Sequence, residues 1–460
     1  MGMKLCLISP PCESDVKRVL EVTLPPLGLA YLASVLRGEH DVEILDALAL
    51  NHSLADLRRR LEASMPDVVG ITSVTSTIYN AYAVARVAKE VNENCIVVVG
   101  GPHATFMARQ ILEECPFVDV VVKGEGERAM KLLVEALSEG RSIEDIKGIA
   151  FRRNDVIAET EPMPLIENLD ALPFPSRDLL PNEKYRAGRT VYTTMMTSRG
   201  CPFTCIFCSS ARIFGNKWRG RSPENVVAEI KEVIETYRIK TIEVLDDTFT
   251  FNRERAARIA DTIIDEGLDV IWSASSRVNT ITRTLAEKMK RAGCRAIYLG
   301  IESGCQRMLD RINKGTTLEQ ARNAVEIVKK AGMQTVGSFI IGIPGETADC
   351  LKKTITFAKK IGIDFAQFTL LTPYPGTAIF TIADKNGWLM TKDWSKYTTL
   401  NPVMKIPGFG AEQLATFLRR AYLSFYLSPK VIWNQLKRRQ FKFVLKEITS
   451  AINYTGRLER

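Results

Sequence analysis

The sequence predicts an α/β protein of two strand–helix units in series with a helical tail. Three observations carry this. Short Val- and Ile-rich runs alternate with helical patterns over residues 1–144. A proline-rich connector, 145–190, breaks the rhythm, and a second alternation runs through 191–384. From 385 to 460 the strand pattern is lost and a basic, helical composition takes over.

The first unit opens on "KLCLISP" (4–10), a strand, and "LGLAYLASVL" (27–36), a helix. "VEILDA" (42–47), "DVVGITS" (67–73), "CIVVVGG" (95–101) and "VDVVVKG" (118–124) read as further strands. Helical stretches separate them near 54–63, 77–91, 104–114 and 127–139. The strand runs scarcely alternate between apolar and polar, which suits strands covered on both faces. A parallel sheet of about five strands in the doubly wound, flavodoxin-like class follows. In the connector, Pro162, Pro164, Pro173, Pro175 and Pro181 can continue neither a helix nor a central strand. A small hairpin around "GIAFRRNDVIAETEP" precedes them.

The second unit begins at "YTTMMTS" (192–198). Its later strands are "TIEVLDD" (241–247), "VIWSASS" (270–276), "AIYLGIES" (296–303), "TVGSFIIGI" (335–343) and "FAQFTLL" (365–371). Amphipathic helices lie between them, one of which, "SPENVVAEIKEVIETY", opens on the N-cap serine Ser222. Six strands with right-handed helical crossovers predict a partial (β/α)6 barrel rather than another open sheet.

Composition narrows the class. The hydrophobic fraction of 46% and charged fraction of 25% are those of an ordinary globular protein. No apolar run approaches the roughly 18 residues of a membrane span. "MGMKLCLISPP" lacks the segments of a secretory signal, so a cytoplasmic location is expected. The ten cysteines do not suggest a disulfide framework, and Cys6, Cys95 and Cys350 fall in apolar elements as small hydrophobes. The net charge is +9 and unevenly placed. From residue 411 onward, Arg419, Arg420, Lys430, Lys437, Arg438, Arg439, Lys442, Lys446, Arg457 and Arg460 face only Glu412, Glu447 and Glu459. Such a face suits a membrane surface, an acidic protein patch or nucleic acid, or is simply solvated.

One stretch stands apart: "TSRGCPFTCIFCSS" (197–210) carries Cys201, Cys205 and Cys208 as Cys-x3-Cys-x2-Cys. Gly200 and Pro202 force a loop directly after the first barrel strand. The thiols therefore fall at the C-terminal mouth, where such barrels build active sites. Thiolates are the ligands of iron–sulfur clusters, and a four-iron cluster held by three of them keeps one iron open to a small molecule. The only histidines, His40, His52 and His103, are too remote in sequence to complete a set of four. A zinc site would need a distant fourth ligand such as Cys294 or Cys305.

On these residues, the stretch from about 190 to 380 resembles the radical S-adenosylmethionine (radical SAM) superfamily. The resemblance implies that Cys201, Cys205 and Cys208 hold a 4Fe-4S cluster. Its free iron would chelate the amino and carboxylate groups of S-adenosylmethionine, whose reductive cleavage gives a 5′-deoxyadenosyl radical. It also implies contacts to that cosubstrate at successive strand ends. Phe207 would bring its backbone near the adenine. Asp246 and Asp247 of "LDDTFTFNRER" stand where the family has a Gly-Gly-Glu-like turn for the methionine amine, a departure from its pattern. Ser276 and Arg277 of "SSRVNT" follow, the guanidinium suiting the methionine carboxylate. Glu302 of "LGIESG" would meet the ribose hydroxyls, and Gly342 and Ile343 of "IIGIPGET" the adenine.

In the first unit, "GITSVTS" (70–76), "VGGPHATF" (99–106) and "KGEGE" (123–127) fall at carboxyl ends of strands, where open sheets bind ligands. Joined to such a barrel, "PPLGLAYLASVL", "GGPHATF" and "GEGE" resemble the cobalamin-dependent, or class B, radical SAM enzymes over residues 3–380. That resemblance implies a cobalamin-binding domain with contacts from Pro10, Pro11, Ser73, Val74, Thr75, Ser76, Tyr79, Gly100, Gly101, His103, Gly124 and Glu125. The Asp-x-His-x-x-Gly motif that ligates cobalt from below in many cobalamin domains is missing; the first strand runs into "SPPCESDVKRV". "SVTSTIY" is expected at the lower corrin face, and His103 reads as a structural residue or a contact to the corrin's polar side chains.

The resemblance implies a C-methyltransferase that moves a methyl from methylcobalamin to an unactivated carbon. Its cofactors would be a 4Fe-4S cluster, S-adenosylmethionine and cobalamin, with ferredoxin or flavodoxin as electron donor. A peptide or protein is the expected substrate, specifically a peptidyl glutamine as in the subgroup that modifies archaeal methyl-coenzyme M reductase. A lipid or other small molecule is the alternative acceptor. A cyclase or rearrangement enzyme with the same cofactors and a non-catalytic cobalamin or redox sensor stay open. Nucleic acid is not an expected partner.

Overall fold

The structure, a computed structural model, describes residues 2–12, 23–153 and 156–437, with backbone alone for 434–437. The chain divides into two compact units. One comprises Met1–Thr194 with Ser209–Arg221 and Asp393–Ser395; the other comprises Met195–Cys208, Ser222–Lys392 and Lys396–Arg460.

The sheet of the first unit contains β1 (Lys4–Ser9), β2 (Asp41–Asp46), β3 (Val68–Thr72), β4 (Ile96–Gly100), β5 (Val120–Val122), β6 (Ile149–Arg153) and β7 (Val156–Glu159). Their spatial order is β2-β1-β3-β4-β5-β6-β7. The first five strands are parallel, in the flavodoxin-like order. The sequence predicts about five strands; the observed sheet has seven, because the connector's hairpin pairs antiparallel along β5. The pairing of Ile149–Phe151 with Val120–Val122 covers an edge that would otherwise be exposed.

The core of this unit takes Leu5 and Leu7 from β1, Val68 and Val98 from the central strands, and Ala33 and Met130 from flanking helices. Connector residues Ile146, Leu180 and Tyr185, with Tyr192 just after them, belong to the same core. Tyr185 is fully buried and donates its hydroxyl proton to Asp46 at 2.9 Å. The connector is therefore packed against the sheet, not strung free. A buried ion pair secures it further. Arg219 Nη1 and Nη2 donate to the two oxygens of Glu125 at 3.0 and 2.9 Å. Glu125 also accepts from the Ile166 amide at 2.8 Å, while Arg219 donates to the carbonyls of Ile166 and Phe214.

Short strands β8 (Arg186–Ala187) and β9 (Thr190–Val191) form a hairpin. They are followed in the chain by β10 (Thr193–Met195), β11 (Ser198–Arg199) and β12 (Arg219–Gly220). The six-stranded sheet then runs β10-β13-β14-β15-β16-β17, with β13 at Thr241–Val244, β14 at Ile271–Arg277, β15 at Cys294–Glu302, β16 at Gln334–Ile341 and β17 at Phe365–Leu370. Each pair from β13 to β17 is parallel. Ile242 and Val244 of β13 share an apolar compartment with Val226, Ile230, Ile259 and Ile263 of two crossover helices. This is the outer layer of the predicted (β/α)6 arrangement, and strand alternation turns Glu243 to the other face.

The expected helices of the tail begin at Ala411. Residues 386–410 form turns, a short 3-10 helix at Trp394–Lys396 and two isolated bridges, Leu389–Met404 and Ile406–Phe409. Gly387, Pro402, Pro407, Gly408 and Gly410 account for that, since none continues a helix well. Helices follow at Ala411–Tyr426 and Pro429–Lys437. Arg438, Arg439, Lys442, Lys446, Arg457 and Arg460 of the basic tail lie outside the described residues. Among the described residues no helix is long and apolar enough to cross a membrane.

Removing one partner of a buried ion pair strands the other charge. Glu125→Ala is expected to destabilise the chain by about 3–5 kcal/mol, read as a lowered urea midpoint; a loss below about 1 kcal/mol, the scale of an exposed pair, would contradict the anchoring role.

Candidate functional site

Cys201 and Cys205 are half-buried, Cys208 is exposed, and all three are free thiols. Their loop is pinned by its backbone. The Ile206 amide donates to Ile312 O at 3.1 Å, and Ile206 O accepts from the Ile379 amide at 2.9 Å. The Asn313 side chain donates to Thr204 O at 3.2 Å and Thr204 Oγ1 at 2.6 Å. These bonds fix the loop without drawing on its sulfurs.

Asp246 and Asp247, paired in the sequence reading, have separate tasks. Asp246 is buried and accepts four hydrogen bonds: the amides of Thr197 and Ser198 at 2.6 and 3.0 Å, and both their hydroxyls at 2.6 Å. It therefore staples the chain entering the cysteine loop and is not available to a ligand amine. Asp247 is half-buried and acts on Cys201. Burial raises the Cys201 pKa, the Phe203 amide lowers it, and the charges of Asp247, Cys208 and Cys205 raise it, to about 11. The loop thus holds several potential anions in one field, a donor set that calls for a cationic centre.

Arg277 stands beside them. Its Nη1 donates to Cys205 Sγ at 3.5 Å, its guanidinium carbon lies 3.6 Å from the Phe203 ring centroid, and its Nη2 donates to Lys314 O. Ser276, expected to contact the cosubstrate, instead joins Thr250 and Thr280 in a buried hydroxyl cluster, at 2.5 and 3.3 Å. Its hydroxyl shapes the turn that presents Arg277.

Glu302 ends β15 with φ +64°, a left-handed value that costs a non-glycine residue energy. Its carboxylate accepts from Lys314 Nζ at 2.6 Å, both side chains being buried. Gly300 makes room for the pair: a Cβ there would lie 2.7 Å from Glu302 Oε1 and from Lys314 Nζ. Lys314 Nζ also lies 5.8 Å from the Phe207 ring centroid. At "GIPGET" the amides of Gly342 and Ile343 donate to Glu346 Oε2 at 2.8 and 3.2 Å, so those N–H groups are not open to a ligand. Glu346 is itself buried, its Oε1 has no hydrogen-bond partner, and its pKa is pushed up to about 7. Burial drives that rise, with a contribution from the Cys350 charge, against the two amides.

The structure thus gathers Cys201, Cys205, Asp247 and Arg277 in one cluster, and Phe207, Lys314 and Glu302 in another. Sequence reasoning missed Phe203, Lys314 and Glu346. "INKGTT" did carry a signal, because Asn313 and Gly315 both take positive φ and turn Lys314 inward.

No group of three His, Cys, Asp or Glu side chains converges on a single-ion site among the described residues. The remote zinc ligands are engaged elsewhere: Cys294 is wholly buried with its thiol on Ala296 O at 3.6 Å, and Cys305 Sγ meets Cys350 Sγ at 2.8 Å. In a four-iron cluster each thiolate binds a different iron, so the three need not converge on one point. A pinned loop carrying three free thiols fits that group.

In the first unit, the loops after β1, β3, β4 and β5 lie at the carboxyl end of the sheet. Pro10 is buried and Pro11 half-buried just after β1. Ser73 donates to Gly100 O from both its amide, at 2.9 Å, and its hydroxyl, at 3.2 Å. Gly101 takes φ +101°, and a Cβ there would meet Ser73 O at 2.6 Å, so only glycine permits this approach. Thr75 Oγ1 shares a hydrogen bond of 3.2 Å with His103 Nδ1. His103 is buried, its pKa lowered by burial to about 4, and its ring meets Trp394 edge to face at 5.3 Å between centroids. It pins the loop as a neutral imidazole. Gly124 donates its amide to Thr105 Oγ1 at 3.0 Å, whereas Glu125 has both oxygens committed to Arg219 and Ile166 and is a structural anchor, not a ligand contact. Val74 and Tyr79 are 48% and 38% exposed beside half-buried Ser76, an apolar crest suited to the face of a corrin.

The radical SAM superfamily family matches residues 195–358, and the B12 binding domain family matches residues 13–134. An uncharacterized methyltransferase of Pyrococcus horikoshii is 51% identical over 430 residues, covering 94% of each chain. The chain belongs to the cobalamin-dependent radical SAM methyltransferase family. The anaerobic magnesium-protoporphyrin IX monomethyl ester cyclase of Rubrivivax gelatinosus is 34% identical, over 88% of this chain and 74% of its own. The fold is also that of the radical SAM methyltransferase TsrM of Kitasatospora setae, solved with cobalamin and a 4Fe-4S cluster bound. The TM-score is 0.72 at 20% identity, over 85% of this chain and 76% of that one.

In this radical SAM chain Glu346 keeps its proton in the folded state up to about pH 7, whereas its ordinary value is 4.5. Rising pH through that window therefore removes stability. Glu346→Gln retains an oxygen acceptor for the two amides, and it should shrink the loss of urea stability between pH 4.5 and 7. An unchanged profile would contradict the assignment.

Proposed function

We propose that this radical SAM enzyme transfers a methyl group to an unactivated carbon, with Cys201, Cys205 and Cys208 holding the 4Fe-4S cluster. The observation that carries the reading is the pinned three-thiol loop beside Asp247 and Arg277, in a chain whose other unit matches the B12 binding domain family. When bound, the cluster and cobalamin supply the electron that cleaves S-adenosylmethionine and the methyl that is transferred.

The chain's own residues bind, orient and exclude water. Asp247 takes the methionine amine, and Arg277, braced by Phe203, takes the methionine carboxylate. Glu302 offers its second oxygen to the ribose hydroxyls while Lys314 holds the first. Phe207 and the Gly342–Ile343 turn flank the adenine, the turn shaped by Glu346 rather than donating to the ligand. Asp246, Ser276 and Asn313 position these groups. In the first unit, the Val74–Ser76 crest and Tyr79 underlie the corrin, His103 holds that crest from beneath, and Pro10, Pro11, Gly100, Gly101 and Gly124 let the ligand approach backbone. The first strand lacks the Asp-x-His-x-x-Gly motif, so cobalamin, when bound, would be held by these residues without that histidine.

The acceptor is a peptide or protein side chain, a glutamine in particular, which the net charge of +9 would help to attract if acidic groups flank it. The electron donor is a reduced ferredoxin or flavodoxin. A second reading, cyclisation, has the 34% identity to a cyclase in its favour. The two part on product mass. Anaerobic protein with reductant and S-adenosylmethionine carrying a deuterated methyl should release 5′-deoxyadenosine and place the labelled methyl in a protein fraction. Alanine at any one of Cys201, Cys205 or Cys208 should reduce both products to background. Deoxyadenosine without label in any acceptor would favour the cyclase reading.

A further inference from the structure

Outside the site, two thiols meet. Cys305 Sγ and Cys350 Sγ are 2.8 Å apart, a direct sulfur–sulfur contact between separate elements. Cys305 lies three residues past Glu302 at the end of β15, and Cys350 lies in the first turn of the helix Ala348–Ile361, capped by Thr347. The two elements are held together independently of the sulfurs. Thr354 Oγ1 accepts from the Gly304 amide at 3.0 Å and bonds Ser303 Oγ at 3.1 Å. The backbones approach so closely that a Cβ on Gly304 would lie 2.7 Å from Lys353 O. The cost of bringing the thiols together is thus borne by the fold.

Their surroundings differ. Arg307 is exposed, and its Nη2 donates to Cys350 Sγ at 3.6 Å; Lys353, also exposed, is one turn along the helix. Burial opposes ionisation of Cys350, but hydrogen bonds from Cys305, Arg307 and Thr347 outweigh it and lower its pKa to about 7. The positive end of a 14-residue helix acts in the same sense. Cys305 is raised by burial and by its neighbour. Both thiols are buried, at 3% exposure for Cys350 and 9% for Cys305; because the Arg307 guanidinium and the helix N-terminus both lie at Cys350, it is the nucleophile and Cys305 the resolving thiol.

We propose that Cys305 and Cys350 form an oxidisable dithiol, a modification site whose oxidant is a small-molecule disulfide such as oxidised glutathione. The Cys350 thiolate attacks one sulfur of the oxidant, forming a mixed disulfide and expelling one thiolate. Cys305 gives up its proton and attacks Cys350 Sγ, expelling the second. Two electrons pass to the oxidant, and the two protons leave on its two thiol products. The bond tethers the loop after Glu302 to the helix that follows the Gly342–Glu346 turn.

The test uses the full-length protein with its cluster, incubated anaerobically over a series of glutathione redox ratios. Samples are quenched in acid, alkylated and digested. As the oxidised fraction rises, the Cys305 and Cys350 peptides should convert into one linked species lacking two hydrogens. In Cys305→Ser, Cys350 should carry glutathione. In Cys350→Ser, Cys305 should stay alkylated, and Arg307→Gln should slow linkage several-fold. Full alkylation of both thiols at every ratio, or a glutathione adduct that persists on the native chain, would overturn the proposal. Because the native protein alone decides the main question, a variant that fails to fold does not obscure it. The readout is independent of S-adenosylmethionine chemistry, so its failure is distinct from failure of the functional reading.

Discussion

Three thiols on one short loop must be kept apart without collapsing into one another or into the core. Asp246 meets that constraint. By accepting four hydrogen bonds from two consecutive residues, Thr197 and Ser198, it fixes where the chain leaves the barrel strand. The loop backbone is then tied at Ile206 and Thr204, so Cys201, Cys205 and Cys208 inherit a defined placement from bonds that involve none of their sulfurs. Asp247, Arg277 and Phe203 depend on the same frame, because their relation to Cys201 and Cys205 has meaning only while the loop is held.

The buried charges of each unit are answered locally. Glu302 is paired by Lys314, Glu346 is answered by two amides and holds its remaining proton, and Glu125 of the first unit is paired by Arg219. Burial makes such groups expensive when unanswered and rigid when answered. A radical cosubstrate needs that rigidity, since misplacement of a reactive carbon would divert it to the nearest bond.

Much of this was legible in the chain. The unalternating Val runs gave strands that are buried on both faces, and β1 to β5 fall within a few residues of their predicted limits. The Cys-x3-Cys-x2-Cys spacing located the loop because Gly200 and Pro202 punctuate it. The hairpin was legible but not its partner: nothing local in "GIAFRRNDVIAETEP" says that it will pair with β5. The same gap explains the side chains whose tasks changed. Asp246, Ser276 and Glu125 carry the right chemistry at the right strand ends, yet each has a hydrogen-bond partner between 26 and 94 positions away. Pairings at that separation are set by tertiary packing, which spacing does not report. Residues 386–410 stay out of regular helix for a local reason, their glycines and prolines.

The central claim is an iron left uncovered by the protein so that a small molecule can chelate it. Electron–nuclear double resonance on the reduced, anaerobic protein, with S-adenosylmethionine labelled by nitrogen-15 at its amine and oxygen-17 at its carboxylate, reads this directly. Hyperfine coupling from both labels to the cluster is the predicted result. A four-iron signal with neither coupling, or no such cluster in protein that retains all three cysteines, would contradict it.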